Sequence, residues 1–264
     1  MESRLERRLR YFLTTRRCGR EDVRQALKEL RRHGRLVLIG GMLRDLALFG
    51  NAGFRSDVDS VIVPDNLAAF DRYMKSINAT VNKYGGYALP FTRWQIDVWP
   101  LERTWAHVEG YVEVKKPRDL LKATFFNSDA IIYDINHRRI MAEAEYFRDL
   151  DQRVLEINLL PNPNLQGNAV RAFRYALDKG FRWGPDLSEF LYEMIASDKW
   201  GALLEAKRRS PSRLYLDEIN IDDLRRELRW HVSQGCKSPF NPLVFRIGGQ
   251  PRLPLLDKQA TETL

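Results

Sequence analysis

The feature that most constrains this chain is a glycine pair set between an apolar run and a helical pattern, Ile39-Gly40-Gly41-Met42-Leu43-Arg44-Asp45. Arg35 to Ile39 reads as a buried strand and Gly41 to Leu48 as a short helix. A strand that turns sharply through glycine into a helix can bring backbone N–H groups up to a phosphate. Beyond an expected loop at Asn51-Ala52-Gly53 comes Arg55-Ser56-Asp57-Val58-Asp59. Val58 to Val63 is β-branched and stops at Pro64, so a second strand is expected there. Side chains at i and i+2 of a strand share a face, which would project Asp57 and Asp59 together. Two carboxylates beside a glycine turn suit a divalent metal holding a nucleoside triphosphate.

The chemistry of nucleotidyl transfer gives further residues a place. Magnesium takes oxygen ligands, and carboxylates can hold the two ions that such a reaction uses. A third carboxylate on a neighbouring strand would complete the cage, and Asp97 is the candidate. It stands between Ile96 and Val98 in the alternating run Trp94 to Trp99, where an acid is costly to bury without a purpose. Gly40 and Gly41 would face the triphosphate with their N–H groups. Arg44, one turn into the helix, would reach it as well, and Asp45 would brace the turn or touch ligand.

At 264 residues, with 44% apolar residues and six tryptophans, the chain is long and apolar enough for one large or two small folded domains. No apolar run approaches a membrane span, and the N-terminus has no secretory apolar region. Cys18 and Cys236 are too few for a zinc site or a disulfide framework, and the four histidines share no ligand spacing. A cytoplasmic setting is expected. Residues 1–35 hold twelve Arg or Lys against five Asp or Glu, nearly all of the net +8. Such a concentration fits a phosphate-rich partner, RNA among them, or a solvated helix face.

The periodicity divides the chain into basic N-terminal helices (1–34), a mixed α/β region (35–160) and a helical region (161–264). Helices are expected over 3–13 and from Glu21, then from Asn66 to Met74 and from Pro117 to Phe125. Weak strands flank Gly85-Gly86, and a hairpin is expected around Asn136-His137. Pro161-Asn162-Pro163-Asn164 reads as a linker. Apolar faces then mark helices ending at Gly180, over 187–195 and over 221–232.

Gly40-Gly41-Met42-Leu43-Arg44-Asp45 with Asp57-Val58-Asp59 resembles the GGxxRD…DxD signature of the class II tRNA nucleotidyltransferase and bacterial poly(A) polymerase superfamily. Asn127 to Asp134 is similar to a family motif written RRDFTINAMAYD, and Asn168 to Ala176 to the neck motif. The resemblance covers roughly 35–185. It implies an α/β nucleotidyltransferase palm of the polymerase-β type with a mixed sheet, followed by a helical neck. It also implies two magnesium ions, an NTP substrate and, as acceptor, an RNA 3′ end, tRNA included. Where the family has Arg-Arg-Asp, this chain reads Ala123-Thr124-Phe125, leaving Asn127 and Asp129 as polar contacts to the sugar. Where the family has an acidic pair, it reads Gly167-Asn168; Arg171 remains, with Arg174 beside it, for nucleotide contact. The resemblance thus points to a compact relative with a changed acceptor. A small-molecule or protein hydroxyl, and a catalytically silent binding module, are the alternatives. Oligomeric state is not legible.

Overall fold

The computed structural model describes residues 1–15, 20–54, 57–89, 94–196 and 219–246. The chain divides into two compact units, Met1–Asp151 with Asn158–Pro161, and Gln152–Ile157 with Asn162–Leu264.

The first unit is built on a seven-stranded sheet. Its strands are β1 (Gly34–Ile39), β2 (Val58–Pro64), β3 (Thr80–Val81), β4 (Tyr87–Leu89), β5 (Ile96–Pro100), β6 (Ile131–Asp134) and β7 (Arg139–Ala142). They lie in the order β3-β4-β5-β2-β1-β6-β7. Only β2 and β5 pair in parallel, so the sheet is mixed. The hairpin expected around Asn136-His137 is the β6–β7 pair.

Strand alternation gives the sheet two distinct faces. Val37, Val61 and Ile132 look to one side and pack with Val114, Leu120 and Leu121. Leu120 and Leu121 lie in a 3-10 stretch, Pro117–Lys122, where the sequence suggested a longer helix. Proline at its first position suits that start, and burial of each aliphatic side chain contributes roughly 1.5–3 kcal/mol. Leu36, Leu38, Ser60, Ile62 and Val98 alternate to the opposite face and are all buried.

Four longer helices belong to this unit: α1 (Glu2–Thr14), α2 (Arg20–Leu30), α3 (Gly41–Gly53) and α4 (Leu67–Ser76). Leu5, Leu9 and Phe12 form the buried stripe of α1, and Val23, Leu27 and Leu30 that of α2. Asn66 caps α4 by accepting the Ala69 N–H at 2.9 Å, as its place before an apolar pattern predicts. The expected loop at Asn51–Gly53 is instead helical: α3 kinks at Gly50 and resumes. A kink leaves carbonyls of the preceding turn without helical donors, and Arg8 of α1 donates to the Leu46 and Ala47 carbonyls, both at 2.8 Å. Phe12 meets Phe54 edge-on at 5.5 Å, and Phe54 stacks on Trp94 at 4.8 Å. The basic N-terminal helices are therefore part of the sheet-bearing unit. Short helices α5 (Trp105–Val108) and α6 (Tyr146–Asp151) complete it.

The second unit pairs β8 (Val154–Leu155) with β9 (Arg182–Trp183) in parallel. Its helices are α7 (Leu165–Lys179), α8 (Pro185–Ala196) and α9 (Ile221–Ser233). Asn164 caps α7, and Gly180 ends it in the left-handed conformation that suits glycine. Glu156 accepts the N–H groups of Asp186 and Leu187 at the start of α8. Trp183 and Phe240 stack at 5.8 Å. Among the described residues, no helix is long and apolar enough to cross a membrane.

Candidate nucleotidyl-transfer site

The C-terminal end of β1 meets the N-terminal ends of β2 and β5. Leu38 pairs with Ser60, so Ile39 and the glycine pair run out beside the Asp59 end of β2. On the other side of β2, Asp59 is directly in register with Asp97 of β5. Residues in register on neighbouring strands present the same face, so Asp59 and Asp97 stand side by side. The ladder extends one bond further, with Val58 donating to the Gln95 carbonyl at 2.9 Å. Ser60, alternating to the far face, donates its hydroxyl to the Asp97 carbonyl at 2.9 Å and ties the two strands together behind the acids.

Asp59 and Asp97 are half-buried and Asp57 is exposed. The Asp97 carboxylate accepts from Gln95 Nε2 at 3.0 Å. Burial pushes its pKa up, the Gln95 hydrogen bond pulls against that, and the charge of Asp57 pushes it further up. Asp57 is thus electrostatically felt at Asp97. Yet, among the described residues, no three His, Cys, Asp or Glu side chains are grouped to hold a metal ion. The expected convergence of all three carboxylates is therefore not found. Asp57 lies one residue before β2, where strand alternation does not govern its direction. One Asp97 oxygen is engaged by Gln95. The residues nonetheless fit a hard divalent cation in donor chemistry and backbone position. They are carboxylates, two of them on adjacent strands in register, with a third acid whose charge reaches Asp97.

The glycine turn is more specialised than its sequence suggests. Gly40 has φ +77°, a conformation that side chains disfavour. Its carbonyl accepts from Leu43 and Arg44 at 3.0 and 3.2 Å and starts α3. Its own N–H donates to the Ile131 carbonyl at 3.1 Å. Gly40 therefore does not offer its N–H to a phosphate, contrary to the expectation. The half-buried Gly41 and the residue after it carry the first-turn N–H groups that lack helical acceptors.

Arg44 also departs from expectation. Its side chain is 2% exposed; Nε donates to Asp45 Oδ1 at 2.8 Å, and Nη1 bonds Asp129 Oδ1. Asp129 belongs to a 3-10 turn, Asn127–Asp129. So Arg44, Asp45 and Asp129 form one buried charge cluster that clamps the start of α3 to that turn. Asp129 is buried and Asn127 half-buried. The sequence carried a signal for the cluster: Asp129 precedes Ala130-Ile131-Ile132, so it is an acid in an apolar setting, as Asp97 is.

In the second unit, Arg171 and Arg174 lie on one face of α7. Arg171 donates to Asn168 Oδ1 at 3.2 Å and to the Tyr175 hydroxyl at 3.0 Å. Both guanidinium carbons lie near the Tyr175 ring, at 5.6 and 5.5 Å from its centroid. The basic run Lys207-Arg208-Arg209, with Cys18, Arg55 and Ser56, lies outside the described residues.

No protein-family model matches the chain, and no curated protein sequence does. Solved structures match its fold. A tRNA-processing enzyme in an apo form aligns with a TM-score of 0.54 at 17% identity, over 79% of this chain and 57% of that one. A tRNA nucleotidyltransferase complexed with a primer tRNA and an incoming ATP analog aligns at 0.51 and 19%, over 78% and 60%. The Thermotoga maritima CCA-adding enzyme complexed with tRNA aligns at 0.54 and 15%, over 88% and 56%. The mixed α/β fold of this chain is thus similar to that of these tRNA-processing and CCA-adding enzymes. This chain spans little more than half the length of each of these proteins.

Proposed function

We propose that this chain is a magnesium-dependent nucleotidyltransferase that moves an NMP group from an NTP to the 3′ end of an RNA. The observation that carries this reading is the side-by-side pairing of Asp59 and Asp97 at the sheet end where the Gly40-Gly41 turn opens α3. Asp57, Asp59 and Asp97 would hold the cation, which supplies charge neutralisation and orientation of the triphosphate. The first-turn N–H groups of α3 face the phosphates. Asp97 takes the proton of the attacking hydroxyl, and its upward shift makes it a better base near neutral pH than an ordinary carboxylate. The hydroxyl oxygen bonds to the α-phosphorus as that phosphorus releases pyrophosphate. Arg44 and Asp129 hold the turn in place, with Asn127 beside them as the sugar contact. Arg171 and Arg174 remain assigned to nucleotide contact on the resemblance alone.

The concentration of positive charge in residues 1–35 supports RNA as the acceptor, as do the tRNA-bound proteins of similar fold. The test is incubation with each labelled NTP, magnesium and total RNA, read on RNA and protein gels. Label should enter RNA, and Asp57→Ala with Asp59→Ala should abolish it; label retained by the double variant refutes the assignment. Label in protein instead would identify a protein hydroxyl as acceptor.

A silent binding module is the second reading, favoured by the burial of Arg44 and by the lack, among the described residues, of a three-acid group. Calorimetry with ATP or CTP and magnesium separates the two, because a silent module gives no metal-dependent heat.

A further inference from the structure

A groove of about 690 Å³ lies between α1, α2 and the β6–β7 hairpin, away from the acids. Its rim is formed by Arg10 of α1, Arg24 and Lys28 of α2, Arg31 just past α2, and Arg138 of the hairpin turn. Arg24, Lys28 and Arg31 fall at i, i+4 and i+7, which aligns them in one stripe on the helix surface. Leu27, Ile135 and Tyr133, all largely buried, also line it. The only acid lining it among the described residues is Glu6.

The groove's charge is poorly neutralised from within. Arg24 pairs with Glu21. Among the described residues, Arg10, Lys28, Arg31 and Arg138 are in no ion pair. Arg138 and Arg10 lie close enough to Tyr133 for both charges to favour its ionised form, against a larger opposing effect of burial. Four such cations round one concavity repel each other, a cost that a multivalent anion removes.

The groove opens on the other side of the sheet from the candidate site. Tyr133 pairs with Leu38, and Leu38 with Ser60. Those residues share a face, whereas Asp59 and Asp97 alternate to the opposite one. A ligand in this groove is therefore not the reacting nucleotide.

We propose that this groove binds the phosphodiester backbone of the acceptor RNA at a segment remote from its reacting 3′ end. The inference rests on the RNA-acceptor reading above. Forked guanidiniums match phosphate oxygens, and successive cations along a helix stripe can follow successive phosphates. An acidic protein segment carries its charge on flexible side chains rather than at every unit of its backbone, so it matches a stripe of cations less closely.

The test uses the full chain with Lys28→Glu, Arg31→Glu and Arg138→Glu combined, and a second variant with glutamine at the same three exposed positions. Fluorescently labelled unfractionated tRNA and polyglutamate are the probes, titrated at several salt concentrations. Affinity for tRNA should fall at least about tenfold, and the log–log salt slope should flatten by about 2 to 3, since each lost phosphate contact removes about 0.7–0.9. Wild-type affinity and slope in both folded variants overturn the proposal, as does tighter wild-type binding of polyglutamate than of tRNA. This binding assay needs no catalysis, so it stands apart from the fate of the transferase assignment. If transfer is also observed, the variants should raise KM for tRNA but leave KM for a short oligonucleotide acceptor unchanged. An equal rise for both overturns the remote placement.

Discussion

Asp59 and Asp97 face the same side of the sheet from adjacent parallel strands, directly in register, and Ser60 bonds the Asp97 backbone from behind. Burial and the nearby charge of Asp57 disfavour the ionised form of Asp97. The strand pairing fixes Asp97 in that setting, so the energetic cost is built into the fold and recoverable on binding a dication.

That cost gives opposing effects on stability and activity. Burial and Asp57 raise the Asp97 pKa, so its ionised form destabilises the folded protein above the raised value. The penalty is absent below the unfolded value of about 4 and complete once the pH has passed the folded one. Asp97→Asn should therefore raise the melting temperature near neutral pH without magnesium, but not at pH 3, while metal-dependent nucleotide binding is lost. Paired thermal melts and calorimetry check both halves.

The like charge of Asp57 has its own signature. Asp57→Asn should move the Asp97 titration, followed by carboxyl-carbon NMR, to lower pH. An unmoved titration would place Asp57 out of electrostatic reach.

Arg44 is expected to matter for folding more than for ligand contact. Removing one partner of a buried charge cluster costs about 3–5 kcal/mol. Arg44→Met should lower unfolding free energy on that scale by removing the guanidinium that Asp45 and Asp129 share, and Asp129→Asn should cost less because it keeps an acceptor for Arg44. Urea titration measures both.

Gly86 is a further point of close approach. A Cβ there would run into the Trp99 indole at Nε1. Trp99 alternates to the same face as Asp97, two residues along β5. Gly86→Ala should cost about 1–3 kcal/mol through overpacking, with a shifted tryptophan fluorescence spectrum as the indole is displaced.

At the β6–β7 hairpin, burial pushes the Asp134 carboxyl up, but hydrogen bonds from the His137 N–H and ring and from Arg35 outweigh it and hold the pKa below the usual range. Its stabilisation is complete above the ordinary carboxylate pKa of about 4 and is lost as pH falls through the lower folded value. Asp134→Asn should thus destabilise by about 1–3 kcal/mol at neutral pH. The difference from wild type should shrink in acid denaturation.

Much of the fold was legible in sequence because it rests on short-range rules. The Asn66 cap, the Gly180 stop, the β-branched run of β2 and the amphipathic stripes of α1 and α2 need only neighbours a turn away. The helical resumption after Gly50 was not legible, because Arg8, far off in the chain, supplies donors to the freed carbonyls. Sequence also singled out the acids to consider, Asp57 and Asp59 by their i, i+2 spacing beyond the glycine pair and Asp97 by its place between Ile96 and Val98. Only tertiary structure decided that Asp59 meets Asp97, that the Gly40 N–H is spent on β6 and that Arg44 turns inward to Asp129. Those outcomes depend on strand order and on the desolvation of charges between distant segments, and the balance of burial against pairing exists only once the segments meet.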